Sequence, residues 1–261
     1  MGNKYWAERI ARAQAAITDK GTKEIEKQLV KYYTQAAKNC ISEFESTYNH
    51  ILLASEEGRE PTPADLYKLD KYWKAQGAIR QELQKLGDKQ ISLLTKQFEI
   101  NFFDVYYSFA LEGSDPFTTI DRAGVTQMIN QVWVADGKTY SQRVWDNISR
   151  LSDTLNDELI NCVVTGKSTS DLKQILQHRF NVSYNRADTL VRTELVHIQT
   201  RAAEQRYRDY GIGYVEVLVE IDDRTCNACQ LLDGEIFPIN EAPDLPIHPR
   251  ERCCLVPVID Y

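Results

Sequence analysis

Residues 222–254 read DDRTCNACQLLDGEIFPINEAPDLPIHPRERCC and hold four of the chain's six cysteines and one of its four histidines. Cys226 and Cys229 form a C-x2-C pair, and His248, Cys253 and Cys254 follow. A tight turn between two cysteines points both sulfurs to one side, and a second pair from a distant loop completes a tetrahedron. Cys226, Cys229, His248 and Cys253 make such a Cys3His set, with thiolate and imidazole ligands that favour Zn2+. A closed set of four is structural and keeps no coordination position for a catalytic water. The alternative is a compact β module whose small buried residues hold no metal. Spacing does not choose between Cys253 and Cys254.

Outward from this stretch, YVEVLVEI (214–221) alternates and is β-branched, as a strand does. LLDGEIF sets an Asp-Gly pair between apolar residues, a hairpin signal, and CLVPVID is a candidate closing strand. Everything upstream reads as helix. Apolar residues recur at helical spacing over 4–57, with Gly21 a weak break. Thr62, Pro63 and Asp65 mark a helix start, predicting one helix to about Gly87 and another over 88–111. Further helices are expected over 121–134, 140–164 and 170–180, the last capped by Ser168 or Ser170. NVSYNRAD then separates a final helix over 185–209, whose face is Ala187, Leu190, Val191, Leu195, Ile198 and Ala202. Trp73, Trp133 and Trp145 read as core residues of amphipathic helices. The fold class is α+β: a mainly helical N-terminal body followed by a small β-rich, zinc-stapled module. Three segments follow, a helical region over 1–113, a second helical part over 114–210 and the Cys/His module over 211–261.

The net charge of −7 lies in the tail. From Gly211 onward there are ten acidic residues and three arginines, which leaves residues 1–210 close to neutral. No broad basic face for duplex DNA is evident. No apolar run is long enough to cross a membrane, and MGNKYWAERIARAQ lacks the apolar core of a secretory signal. A cytosolic setting is therefore expected, where clustered cysteines hold metal more often than they form disulfides. TGKSTS (165–170) imitates the end of a phosphate loop. However, Asn161 stands where that loop needs glycine, so a helix end and a new cap are expected instead. In Arg192-Thr193-Glu194, the glutamate shares a face with Leu190 and Ile198 and needs a partner, for which Arg201 is a candidate.

RTE on a helix, then a strand, then DDRTCNACQLLDG and P-x-HP-x-x-R-C together resemble the C-terminal domain of the Mu-F-like minor head proteins of tailed bacteriophages, the phage head morphogenesis proteins. The resemblance covers about residues 140–257 and extends to TGKSTSDLKQILQHRF upstream. Arg192, Thr193 and Glu194 sit on the family's helix motif. Asp223, Thr225, Cys226, Cys229, Asp233 and Gly234 sit on its D-x-T-C-x-x-C-x-x-x-D-G pattern, and His248, Pro249, Arg252 and Cys253 on its HP-x-C-R-C pattern. The chain departs from the family at Glu251, where the pattern has cysteine, and in its extra Cys254.

The resemblance implies a non-enzymatic minor capsid protein in the virion, present in the host cytoplasm during assembly. It would work with portal, capsid or scaffolding proteins in head assembly, and in packaging or ejecting DNA. Related proteins can carry a toxin domain after this module. None is expected here, since the sequence ends at Tyr261. Two rivals stand beside this reading. A zinc-dependent nuclease or other hydrolase would use His248 or Glu251 as base. A head-interior DNA-binding protein would make weak phosphate contacts through Arg186, Arg192, Arg201, Arg206 and Arg208.

Overall fold

The computed structural model describes residues 2–54, 62, 64, 67, 70–110, 120–223 and 225–259. Its helices are α1 (Gly2–Ala54), α2 (Asp70–Ser108), α3 (Arg122–Ile129), α4 (Tyr140–Thr165), α5 (Thr169–Asp209) and the short α6 (Asn227–Leu232). The strands are β1 (Tyr214–Val219), β2 (Ile236–Pro238) and β3 (Cys253–Pro257). The chain is thus mainly helical with a small antiparallel sheet near its C-terminus. Among the described residues, no helix is long and apolar enough to cross a membrane.

Two compact units divide the chain. One comprises Met1–Glu26, Leu93–Tyr140 and Thr189–Tyr261, the other Lys27–Ser92 and Ser141–Asp188. They interleave along the sequence, unlike the consecutive segments 1–113, 114–210 and 211–261, because long helices contribute residues to both.

In the first unit the strand order is β2-β1-β3, and both pairings are antiparallel. Val215 faces Phe237 on one side of β1, and Val217 faces Leu255 on the other. Side chains alternate across β3. Cys254 and Val256 therefore pack with Ala7, Ile10, Ala11 and Leu218, and Cys253 faces away from that cluster. Tyr207 is fully buried and ties α5 to this sheet. Its hydroxyl donates to the Leu255 carbonyl at 3.1 Å and accepts from Gln14 Nε2 at 2.8 Å.

In the second unit Leu29, Tyr33, Phe44, Leu83, Val144, Leu155, Leu176 and Phe180 are buried. Asn147 Nδ2 donates to the Tyr33 hydroxyl and to the Ser183 carbonyl, at 3.1 and 2.9 Å.

Four expected boundaries are corrected. Helix α1 runs through Gly21 without a break. α2 is one helix where two were expected to meet at Gly87. A Cβ on Gly87 would lie 2.5 Å from the Trp145 ring, so that glycine admits a neighbour and stops nothing. The expected helices 170–180 and 185–209 are likewise one, α5, since NVSYNRAD lacks glycine and proline and buries Ser183 and Ala187. Helix α3 ends at Ile129, capped by Asp121 through the amides of Ala123 and Gly124, so Trp133 lies beyond it. Pro63 and Asp65 of the expected helix start, and most of the 111–120 break, lie outside the described residues. Trp73 and Trp145 are partly exposed and line an open groove of about 690 Å³ in the second unit, with Tyr72 and Gln76.

Between Cys162 and Asp171 the TGKSTS stretch ends α4 and starts α5, as a helix break does. Gly166 takes φ +61, and Ser168 caps α5 in a reciprocal pair with Asp171.

Gly87→Ala is expected to destabilise the protein by about 1–2 kcal/mol through overpacking against Trp145. In a Trp145→Ala background the same change should stabilise by about 1 kcal/mol, because alanine is the better helix former. Denaturant melts of the double-mutant cycle check the sign change. Hydrogen bonds from the Ser168 side chain and amide hold the Asp171 carboxyl below its ordinary 3.8. A depressed carboxyl stabilises above its unfolded value and loses that contribution as pH falls through its folded value. Asp171→Asn should therefore lower the melting temperature at neutral pH, with the difference from wild type vanishing as the pH falls below 3.8.

Candidate metal centre

The centre is built by two turns that flank the sheet. After β1, the Thr225 hydroxyl accepts from the Asp222 amide at 2.8 Å and donates to the Glu220 carbonyl at 2.9 Å, closing a side-chain-stabilised turn. Cys226 is the N-cap of α6, and its sulfur accepts the Cys229 amide at 3.4 Å. That places both sulfurs at the start of one helical turn. Asp233 ends α6 and accepts the Val219 amide on Oδ1 at 2.9 Å. Gly234, at φ +79, donates its amide to the Val217 carbonyl and leads into β2. The Asp-Gly pair thus bends the chain from a helix into β2, and does not join two strands as its hairpin reading predicts. The leucines before it are helical.

The second turn carries His248. Its Nδ1 faces the Pro249 carbonyl at 3.0 Å, and Nε2 lies 3.3 Å from the Cys226 sulfur and 3.1 Å from the Cys229 sulfur. An Nδ1–H donated to a carbonyl leaves Nε2 as the lone-pair donor, the tautomer a metal requires. A tetrahedral zinc would separate a sulfur and a nitrogen ligand by about 3.6 Å, given ordinary Zn–S and Zn–N lengths. The observed spacings are a few tenths shorter, so a small expansion admits the ion. The donor atoms of Cys226, Cys229 and His248 all lie within 4.8 Å of one another. A second such group is Cys229, Glu251 and Cys253. All five residues border one small cavity of about 30 Å³. These thiolate and imidazole donors fit zinc.

The electrostatics differ from one sulfur to the next. The Cys229 amide lowers the Cys226 thiol below its usual value, whereas burial pushes Cys229 up to about 11. Burial, and then the neighbouring Glu251 carboxylate, raises the Cys253 thiol. The hydrogen bond to Pro249 is the main cause that raises His248. Cys254 lies in the core beside Ala7, where burial pushes its thiol up to about 12. The structure therefore brings Cys226, Cys229 and His248 together. Cys253 adjoins them through Cys229, Cys254 does not join them, and Glu251, which stands where the family pattern has cysteine, enters beside Cys253.

The RTE residues hold the second turn against α5. The Arg250 amide donates to the Thr193 hydroxyl at 3.3 Å, and Arg250 Nε donates to the Thr189 hydroxyl at 3.0 Å. Arg250 takes a left-handed φ of 62. A non-glycine residue holds that conformation only when its surroundings over-determine it. Arg192 pairs with Glu26 of α1. Glu194 is 2 % exposed, and its Oε2 accepts the Trp133 indole N–H at 2.9 Å. Arg201, the expected partner of Glu194, pairs instead with Glu204 and Asp244. Trp133 also stacks on His197 with centroids 4.1 Å apart. Arg252 bridges Glu220 and Asp222, tying the start of β3 to the end of β1. Asp223 is exposed, so it is its neighbour Asp222 that serves the turn.

Trp133→Phe keeps the ring on His197 but strips a buried carboxylate of a donor. It should cost about 1–3 kcal/mol in a denaturant melt, and Trp133→Ala more.

A family model described as Phage Mu protein F like protein matches residues 153–255. No curated protein and no solved structure matches the chain. The matched stretch runs from within α4 to the middle of β3 and takes in the RTE residues, both turns and every donor of the candidate centre. Residues 153–255 are therefore similar to the Mu-F-like family of phage head morphogenesis proteins, the family that the RTE and HP-x-x-R-C motifs resemble.

Proposed function

We propose that this chain is a minor capsid protein of a tailed phage or prophage. It acts without catalysis at the portal or procapsid during head assembly, and its C-terminal module is stapled by one zinc ion. The observation that carries this reading is the small, walled donor cluster inside the family-matched stretch. A cavity of about 30 Å³ accepts an ion but no nucleotide. The donors lie where β1, α6 and β3 converge, so a bound ion would cross-link the ends of a sheet whose strands are three to six residues long. So small a module buries little apolar area, which is where a metal staple contributes most. When bound, zinc would supply folding free energy to this module. The exposed aromatic groove around Trp73 and Trp145 is a surface suited to docking a capsid or portal partner.

The rivals find less support. Four of the five α5 arginines read as phosphate contacts turn to protein partners. Arg192 pairs with Glu26, Arg201 with Glu204 and Asp244, and Arg208 with Glu204, and Arg206 donates to the Phe109 carbonyl while stacking on Tyr210. Arg186 remains exposed. A nuclease needs cations poised for phosphate. In this chain Arg252 is held by Glu220 and Asp222, and Arg250 donates to Thr189.

Protein purified anaerobically without chelator should carry about one zinc per chain, and chelator should lower its melting temperature. Less than about a tenth of an equivalent would sink the staple. The same protein should co-migrate with the cognate portal protein at low salt. Failure to do so would remove the portal assignment.

A further inference from the structure

One member of the donor cluster is left incomplete by its protein partners. Glu251 is 3 % exposed. Its Oε2 accepts the Ile247 and His248 amides at 2.5 and 3.3 Å. Its Oε1 is buried and takes no N–H or O–H donor; the Cys253 thiol is the side chain that reaches the carboxylate. The neighbouring arginines are committed elsewhere, Arg252 to Glu220 and Asp222 and Arg250 to Thr189. Burying a carboxylate costs far more than burying a neutral group unless a positive charge accompanies it.

That charge has a place to sit. One carboxylate oxygen of Glu251 lies within 4.8 Å of the Cys229 and Cys253 sulfurs. Glu251 also borders the cavity of about 30 Å³ shared by Cys226, Cys229 and His248. That volume suits one ion or one water, not two metals.

We propose that Glu251 is the fourth metal ligand. The ion is closed by Cys226, Cys229, His248 and Glu251, while Cys253 stays a thiol packed beside it. This rests on the metal reading above. Two physical differences separate Glu251 from Cys253. A neutral thiol buries readily as a small apolar group, and Cys253 fills a fully buried strand position. A carboxylate does not bury alone. In addition, Oε2 of Glu251 is held by two backbone amides, the kind of support that orients ligating carboxylates. One of those amides belongs to His248, so the same side chain fixes the loop that delivers the imidazole.

Cobalt(II) is the probe, because thiolate-to-cobalt charge-transfer absorption rises with the number of bound sulfurs. The full chain, loaded anaerobically, should show two thiolates. Cys253→Ala should leave that spectrum unchanged. Glu251→Gln should weaken cobalt binding about tenfold or more, with circular dichroism verifying the fold. Glu251→Cys should add a third thiolate, and it stands in for Glu251→Gln if that variant fails to fold. Loss of one thiolate in Cys253→Ala, or no added sulfur signal in Glu251→Cys, would overturn the assignment. A wild-type chain that takes up no cobalt would instead defeat the metal reading itself, and this inference with it.

Discussion

Strand alternation at Cys253 and Cys254 governs the C-terminal module. Two adjacent sulfurs on a strand must face opposite ways. Cys254 joins Val256 and Leu218 against Ala7 of α1, and Cys253 meets Cys229 and Glu251. The strand is buried along its whole length. A slip of one residue would drive Glu251 and Arg252 out of register with the turn and with Glu220. The antiparallel register of β3 on β1, Val219 against Cys253 and Val217 against Leu255, is therefore the constraint on which the donor cluster depends.

The RTE residues explain how the register is kept. Three consecutive side chains on α5 reach three separate elements. Arg192 reaches Glu26 of α1, Thr193 the Arg250 amide, and Glu194 the Trp133 indole. Consecutive helical residues point about 100° apart, so a single motif can hold three neighbours at once. Arg250, in its left-handed conformation, is the residue through which this clamp reaches the His248 turn. The motif is a fastening for the Cys/His module, and none of its side chains is a candidate ligand.

Much of the helical body was legible from periodicity. The limits α4 140–165 and the strands at 214 and 253 agree closely with the reading of alternation and apolar spacing. The misread points were those where one residue type serves two purposes. Gly87 reads as a helix end, but the Trp145 ring occupies the space a Cβ would need. NVSYNRAD reads as a break because it is polar, yet Ser183 and Ala187 pack inside, and the Ser183 carbonyl accepts from Asn147. Trp133 reads as one more helical apolar residue, and lies instead in the loop beyond α3, stacked on His197 and bonded to Glu194. Each of these depends on a partner more than 30 residues away, which a local window cannot contain.

By itself the sequence determined the chemistry available to the module. C-x2-C followed by His248 and Cys253 specifies soft donors at ligand spacing, and a tight turn is enough to bring Cys226 and Cys229 together. Only the tertiary structure decided which other groups share their cavity. Strand register separates Cys253 from Cys254, and the turn amides of Ile247 and His248 draw the Glu251 carboxylate inward. In the sequence Glu251 reads as a departure from the family's cysteine and as the candidate base of a rival hydrolase. The structure shows it buried, with its carboxylate held by the backbone amides of its own turn.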